Sequence, residues 1–390
     1  MLKRSGLIVV YHLSVQLPFA GIIWQLLHHL IGFRRLGFDV YYVEDPNGAW
    51  FYDPTAGTYL SDATRNLKLV TSVLARYGFN DHWAFRDSQS GEYLGISRSE
   101  CTQLVRDADA IINLCGALDP REEHANTHCL VYLGTDPGQF QVDLQQGEPK
   151  AVRSAAAHKL LFTYAYNLGS ADCLLPTGGL VWKHTRPPVL LDHWADFVDL
   201  PDSGVFTSIG TWENKERHIQ LKGEKYSWSK HLNFLKMTEV PARSGQEIEL
   251  ATDLRSGPDY ERMNLAGFRL RSAIPMSLDL DEYRNYVGTS RGEFTVAKDV
   301  VARTGSGWFS DRSACYLAAG RPVVTQRTGF ERSLPTGVGL FSFDHAGDAA
   351  DAIRAVNGDY RRHSRAAREI AVEYFDATKL LKEIVEAAGL

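Results

Sequence analysis

The stretch Arg291–Val324, RGEFTVAKDVVARTGSGWFSDRSACYLAAGRPVV, decides how the rest of the chain is read. A short mixed run, Glu293–Val300, leads into a glycine-bearing loop, Thr304-Gly305-Ser306-Gly307. A helix opening at Trp308–Arg312 follows, then a small-residue helix end, Leu317–Gly320, and a β-branched strand, Pro322–Thr325. A strand–loop–helix unit of this kind aims free backbone N–H groups and the positive end of a helix at whatever occupies the loop. An anion such as a diphosphate is the natural occupant, and Lys298, Ser306, Ser310 and Arg312 supply further donors. The same glycines also fit a plain turn.

The alternation extends to both sides of this stretch. Leu7–Tyr11 reads as a buried strand, Pro18–Gly21 as a loop, Ile22–Leu36 as a helix stopped by Gly37, and Phe38–Val43 as a strand ending in Glu44-Asp45-Pro46. That is a β-α-β unit within about forty residues, the building block of a doubly wound parallel sheet. Helices over Ala63–Tyr77 and Ser99–Arg106 and strands over Ala110–Leu114 and Cys129–Leu133 continue it, the last strand running into Gly134-Thr135-Asp136-Pro137-Gly138. His158–Tyr164 and Asp172–Leu175 extend the pattern. Between Pro176 and Ser203 the prolines and polar tail read as an interdomain connection. A second series then starts: strand Val205–Ser208, helix Ser229–Lys236, strand Ile248–Ala251, helix Asp259–Leu265, strand Phe268–Ser272, helix Leu280–Val287 and strand Glu293–Ala297. From Ala346 to Leu390 the pattern is helical, broken near Asn357-Gly358, with a long final helix. The expected fold is α/β, with two Rossmann-like doubly wound domains facing a cleft and a C-terminal helix crossing back to the N-terminal domain. Expected boundaries are 1–180, a linker at 181–203, a second domain at 204–365 and the crossover helix at 366–390.

Composition narrows the function classes. At 390 residues the chain has room for two cores, and 44% hydrophobic with 23% charged residues is an ordinary globular balance. A net charge of −5 argues against broad nucleic-acid or membrane-surface binding. Five scattered cysteines, Cys101, Cys115, Cys129, Cys173 and Cys315, form no C-x-x-C pair, which fits a reducing, cytoplasmic setting better than disulfides or zinc. The opening MLKRSGLIVVYHLSVQLPFAGIIWQLL looks briefly like a signal peptide, but His12, Gln16, Pro18 and Gln25 interrupt it and no cleavage signature follows. No apolar run reaches the roughly 18 residues a membrane span needs. Association into a homo-oligomer is left open.

The chain resembles the GT-B glycosyltransferases, and within them the CgeB-like, spore-coat-type group, over about residues 205–390. The residues that carry the resemblance are Gly305–Arg312 (GSGWFSDR), Leu317–Val324 (LAAGRPVV), Thr325–Phe330 (TQRTGF) and Ala367–Phe375 (AREIAVEYF). The phrases GTDPG and LPTGG of the N-terminal half are similar to those of bacterial proteins labelled glycosyltransferase. The resemblance implies transfer of a sugar from a nucleoside-diphosphate sugar, as co-substrate, to a small-molecule or glycan acceptor, with no metal and no further cofactor. Retaining enzymes of the largest such group carry two glutamates. Aligned on Gly320 and Pro322, those positions hold Gly307 and Cys315 here. The retaining mechanism is therefore not carried over; the stereochemistry stays open, with inversion the favoured expectation and Asp311 the candidate for a sugar-hydroxyl contact.

An inverting transfer needs a base for the acceptor hydroxyl and cations or helix N-termini for the diphosphate. Candidates for the base follow strand ends of the N-terminal domain: Asp136, which also suits an Asp-Pro turn; His12, equally a hydrogen-bonded structural histidine; and Glu44, equally a cap. Phe19 and Gly21 sit on the acceptor side, or simply permit tight strand–helix packing. Donor candidates are Ser208, Gly210 and Thr211 after a strand, the cations Lys230 and Lys298, and Gly305, Ser306, Gly307, Ser310, Asp311 and Arg312. Arg271, Ala273 and Ile274 mark the place where the resemblance puts main-chain contacts to the nucleobase. Asp279-Leu280-Asp281 has the look of a metal motif but precedes a helix, where an Asp cap is expected. Trp228 and Trp308 suit stacking on a ligand as well as core packing. Two rival readings stand beside the transferase: a nucleotide-sugar epimerase of the same fold, and a catalytically silent protein that binds nucleotide or glycan. A dinucleotide dehydrogenase is disfavoured, since no G-x-G-x-x-G follows the first strand.

Overall fold

The computed structural model describes residues 6–125, 127–215 and 217–390; the first five residues of the leader-like start lie outside it. Ten strands come from the first half of the chain: β1 (Leu7–Tyr11), β2 (Asp39–Glu44), β3 (Phe51–Asp53), β4 (Thr58–Leu60), β5 (Trp83–Arg86), β6 (Tyr93–Gly95), β7 (Ala110–Leu114), β8 (Leu130–Gly134), β9 (Leu160–Thr163) and β10 (Lys183–His184). Eight of them form one sheet in the order β10-β9-β8-β7-β1-β2-β5-β6, parallel except where β6 folds back on β5. β3 and β4 make a separate hairpin. The second half supplies β11 (Phe206–Ile209), β12 (His218–Leu221), β13 (Glu224–Ser227), β14 (Ile248–Thr252), β15 (Phe268–Ser272), β16 (Gly292–Thr295), β17 (Val323–Gln326) and β18 (Leu340–Phe343). Six of these build a parallel sheet in the order β15-β14-β11-β16-β17-β18, and β12 pairs with β13 apart from it.

The central strands are apolar on both faces because helices cover both faces. LIVVY in β1 and AIINL in β7 are buried throughout. The helix Ala20–Arg35 lies between layers, so it is buried nearly all round, with Ile23, Trp24, Leu27, Leu30 and Phe33 inside. Arg34 and Arg35 occupy its last turn, where the helix dipole favours cations, and Gly37 at φ 92° lets the chain turn away. A single apolar cluster runs from β1 and this helix through Leu280 and Val287 to Ala314–Ala319 and on to Leu381 and Ile384, fusing the two halves along one side.

Several expected elements differ. Asp172–Leu175 is a turn region, not a strand, and its Leu174 N–H donates to the Thr304 carbonyl. The run Glu293–Val300 divides into β16 and the start of a short helix, Asp299–Thr304, so the unit is strand–helix–loop–helix. The following helix begins at Asp311, with Trp308–Ser310 still in the loop. The long final helix is two helices, Tyr360–Tyr374 and Ala377–Ala388. They part at Phe375-Asp376 because the backbone there pairs with the linker: Val189 N–H donates to Phe375 O (2.7 Å) and Ala377 N–H to Val189 O (3.0 Å). The first of the two packs on Asp311–Ala318 and the second on Ala20–Arg35, which carries the chain from one half to the other. The linker is itself core-forming, with Val189, Leu190 and Trp194 buried. Asp279 caps the helix Leu280–Thr289 through the N–H groups of Asp281 and Glu282, as its position predicts. No described helix is long and apolar enough to cross a membrane.

Candidate functional site

Each sheet has one place where consecutive strands leave in opposite directions. In the first it lies between β1 and β7, and in the second between β11 and β16. Loops after such strands open a crevice at the C-terminal edge, the usual ligand position in open α/β sheets. Here the two crevices face each other. Residues after β1 and β7 (His12, Cys115) are linked through Gln25 to Asp311, whose helix packs against β16.

On the C-terminal side the cations Lys230 and Arg312 crowd against Gly210. A Cβ at Gly210 would lie 3.4 Å from Arg312 Nη1 and 3.8 Å from Lys230 Nζ, in van der Waals contact with both. Arg312 is engaged on three sides: Nε donates to Glu293 Oε1 (2.6 Å), Nη1 to Ile209 O (2.7 Å) and Nη2 to Thr295 Oγ1 (3.0 Å). Glu293 is fully buried, and Arg312 is its counter-charge. Lys230 is different. Its ammonium has no hydrogen bond or ion pair among the described residues, and burial, followed by the neighbouring Arg312 and Lys298 cations, holds its pKa well below the ordinary lysine range. Lys230, Thr295, Ser310, Arg312, Gln326 and Thr328 line a small polar cavity here. An anion entering it would meet two cations and the start of the helix Asp311–Ala318.

Polar contacts cross the cleft beside this point. Lys298 Nζ donates to both oxygens of Asp136 (2.6 and 2.8 Å), and Trp228 Nε1 donates to Asp136 Oδ2 (3.1 Å). Burial alone would raise the Asp136 carboxyl, but Lys298, joined by Arg217 and the Trp228 N–H, draws the group below the usual carboxylate range. Trp308 Nε1 donates to Thr135 O (2.8 Å). Gln25 Nε2 donates to Asp311 Oδ1 (2.9 Å), while Gln25 Oε1 accepts from His12 Nε2 (3.0 Å) and from Cys115 Sγ (3.0 Å). Burial pushes the Asp311 carboxyl up to about 6. His12 is fully buried, with Nδ1 on the Ser14 hydroxyl (2.8 Å), and burial lowers it to about 3, so it is a neutral imidazole with both nitrogens engaged.

The structure therefore sorts the expected residues. It brings Asp136, Lys298, Asp311, Arg312, Ser310, Lys230 and Gly210 to the cleft. It turns others to structural work. Glu44 accepts from the N–H groups of Val15 (2.7 Å) and Gln16 (2.8 Å) and from Tyr42 Oη, fixing the loop after β1, and its neighbour Asp45 pairs with Arg86 and Arg121. Ser208 lies within β11 and donates to Thr295 Oγ1 (3.0 Å). Thr211 is exposed at the rim. Gly305, Ser306 and Gly307 form a packing joint with the N-terminal half, not an open anion cradle. Asn167 N–H donates to Ser306 O (2.9 Å), Asn167 Nδ2 to Gly305 O (3.1 Å), and Gly307 N–H to Thr328 O (2.8 Å). Ala273 N–H donates to Thr252 O and Ile274 N–H to Ser272 Oγ, so neither amide is free for a nucleobase, and Arg271 lies toward Glu249 (3.7 Å). Phe19 packs on Tyr52, and Gly21 permits the approach of Tyr283, whose hydroxyl would lie 3.3 Å from a Cβ there.

Three residues of the site carry little signal in the sequence. Gln25 is a lone amide in the apolar run IIWQLLHHL, which marks it as a buried polar group without naming its partners. Glu293 reads as an edge residue of a mixed strand. Cys115 adopts φ 62°, a left-handed conformation costly for a non-glycine residue, at the end of β7 where it faces Gln25 and Thr135.

No protein-family model matches the chain, and no curated protein matches it in sequence. Solved structures do. The chain is similar to AviGT4, a glycosyltransferase involved in avilamycin A biosynthesis (TM-score 0.58, 11% identity, covering 98% of this chain and 96% of that one). It is similar to Anabaena Alr3699/HepE in complex with UDP-glucose (TM-score 0.60, 14% identity, 98% and 99%). A third is an alpha-glucosyltransferase in complex with UDP and a 13-mer DNA containing a HMU base (TM-score 0.60, 11% identity, 100% and 100%). At these identities the likeness establishes the fold: two facing α/β units in the GT-B arrangement of glycosyltransferases.

Proposed function

We propose that the protein is a metal-independent glycosyltransferase that moves a sugar from a nucleoside-diphosphate sugar to a hydroxyl of an acceptor held on the N-terminal half. The observation that carries this reading is Lys230: a cation without an anionic partner among the described residues, set beside Arg312 and the start of the helix Asp311–Ala318. A diphosphate supplies the missing negative charge, and the leaving group of sugar transfer is a diphosphate. UDP is the first nucleotide to try, since two of the similar structures contain UDP or UDP-glucose. The CgeB-like subgroup rests on the quoted motifs alone.

The Asp136–Lys298 pair gives this reading a sequence of events. When the diphosphate arrives, Lys298 turns from Asp136 to the phosphate oxygens. Asp136 then keeps its burial but loses its principal cation, so its pKa rises and it becomes a better base for the acceptor proton. Asp311, held by Gln25, takes a hydroxyl of the transferred sugar, and inversion follows from attack on the face opposite the diphosphate. The protein would act in the cytoplasm, with no nucleic-acid partner and with oligomeric state left open.

The test is a thermal-shift panel of nucleoside diphosphates and their sugars. A ligand at about 100-fold excess over its Kd should stabilise the protein by about 2.7 kcal/mol. Lys230→Ala should remove that rise. Lys230 is a better residue to remove than Arg312, whose loss would leave Glu293 buried without its cation and cost about 3–5 kcal/mol by itself. Failure of every nucleotide to stabilise the wild-type protein would end the transferase reading.

A further inference from the structure

The N-terminal side of the cleft holds a cavity of ≈ 540 Å³, in the range of small-molecule sites (about 300–1,000 Å³). Its inner wall is Cys115, Thr135 and Asp136, so it opens directly onto the base proposed above. Its floor is Tyr132 stacked on Phe140, with ring centroids 4.5 Å apart and planes at 18°. Tyr132 is only 7% exposed, yet its hydroxyl has no hydrogen-bond partner among the described residues. Gly116 borders that hydroxyl: a Cβ there would stand 3.5 Å from Tyr132 Oη, in van der Waals contact. A buried phenol is normally paired. The Tyr132 oxygen is not itself enclosed, so water or a ligand in the cavity satisfies it.

The charges around the cavity are unevenly balanced. At the inner end Asp136 is matched by Lys298, and Arg217 lies over the Trp228 ring at 4.3 Å. On one flank Asp119 faces Lys150 at 3.8 Å and accepts from Asn47 Nδ2. At the outer end Asp143 accepts only from Gln139 Nε2 (2.6 Å), and Glu148 has no cationic partner among the described residues. Both line the same cavity, Glu148 at its exposed rim, and their backbones meet where Glu148 N–H donates to Asp143 O (2.9 Å). From the cavity, the unpaired Tyr132 hydroxyl and the two uncompensated carboxylates, we infer that this is an acceptor subsite for a sugar or cyclitol ring bearing a protonated amine. A ring hydroxyl bonds Tyr132, the ammonium faces Asp143 and Glu148, and another hydroxyl reaches Asp136. This inference rests on the transferase reading for the purpose of the site, but its binding preference can be measured without any donor.

The probes are glucosamine, N-acetylglucosamine and glucose, compared at low ionic strength by saturation-transfer NMR on the free protein and again with the stabilising nucleoside diphosphate bound. Glucosamine should bind about tenfold more tightly than the two neutral sugars. Asp143→Asn and Glu148→Gln together should erase that preference while leaving stabilisation by the nucleoside diphosphate unchanged. Equal binding of the three probes, a preference for N-acetylglucosamine, or a preference that survives both substitutions overturns the inference. If no nucleotide stabilises the protein but the glucosamine preference holds and falls with Asp143 and Glu148, the cavity assignment stands and the transferase reading is what fails.

Discussion

Glu44 illustrates what a single buried carboxyl does in this fold. Its three donors all favour the charged form, yet burial outweighs them and pushes it up to about 7, from an ordinary value of 4.5. A folded-state pKa above the unfolded one means that the folded protein binds the proton more tightly. The resulting stability is present in full below 4.5 and is lost as the pH rises through about 7, a change of roughly 3 kcal/mol. Glu44→Gln keeps one acceptor oxygen and removes the titration. It should be less stable by about 1–3 kcal/mol at low pH, because one N–H loses its acceptor, and its unfolding free energy should lack the fall across that window. Urea melts at a series of pH values read this directly; wild-type and variant curves that stay parallel would refute it. In sequence Glu44 looked equally like a base or a cap, since the groups that settle it, Val15 and Gln16, lie 29 and 28 residues earlier. Lys230 was legible as a candidate phosphate cation at the start of a helix. That Lys230 would lack a counter-charge among the described residues, while Lys298 met Asp136, depends on how the two sheets come together.

At the scale of elements, what could be read was the apolar run. β1, β7 and β8 are buried on both faces and each follows from a short, mainly aliphatic run, while β11 (FTSI) and β14 (IELAT) are equally buried though they carry polar residues. The hairpins β3–β4 and β12–β13 were missed because short strands away from the main sheets lack a sustained pattern, and the β4 residues are all exposed. The break between the last two helices was missed because no glycine or proline marks it; the linker's Val189 imposes it. The loop Thr304–Gly307 was found, but its glycines serve a different purpose. Gly307 has φ 77°, and a Cβ there would stand 2.8 Å from Asn167. Gly307→Ala should therefore cost at least about 1–3 kcal/mol from the backbone alone, read from the denaturant midpoint, while stabilisation by a nucleoside diphosphate persists. The reverse result, unchanged stability with nucleotide binding lost, would restore this loop as the anion cradle.

The two halves of the molecule meet through two apolar clusters, and the polar contacts of the cleft lie beside the smaller one. Polar contacts across the cleft, among them Asp136–Lys298, Gln25–Asp311 and Trp308–Thr135, lie beside a second apolar cluster in which Val142, Leu144 and Trp182 of one half meet Ile219, Trp228 and Val300 of the other. In the larger cluster Trp24, 1% exposed, packs on His28, Tyr77, His193 and Trp194 and donates through Nε1 to Leu280 O (3.3 Å) in the other half. Leu381 in the last helix lies against Gly32 on the same central helix, where any Cβ would come within 2.3 Å. The sequence indicated a helix returning to the N-terminal half; it gave no sign that the two cores would merge, since Trp24 and Leu280 are far apart along the chain. If the cores are one, the halves unfold together. Trp24→Ala should cost about 3–5 kcal/mol, and hydrogen exchange should show that loss in β7 and β8 and equally in β16 and β17, within a single calorimetric transition. The exposed pair Arg76–Asp281 also bridges the halves, at 2.7 Å, but removing it should change stability by less than about 1 kcal/mol, because solvent already screens it. Protection lost only in the first sheet, or a calorimetric trace that divides in two, would mean that the packing around Trp24 belongs to one half and that the cleft is free to open about it.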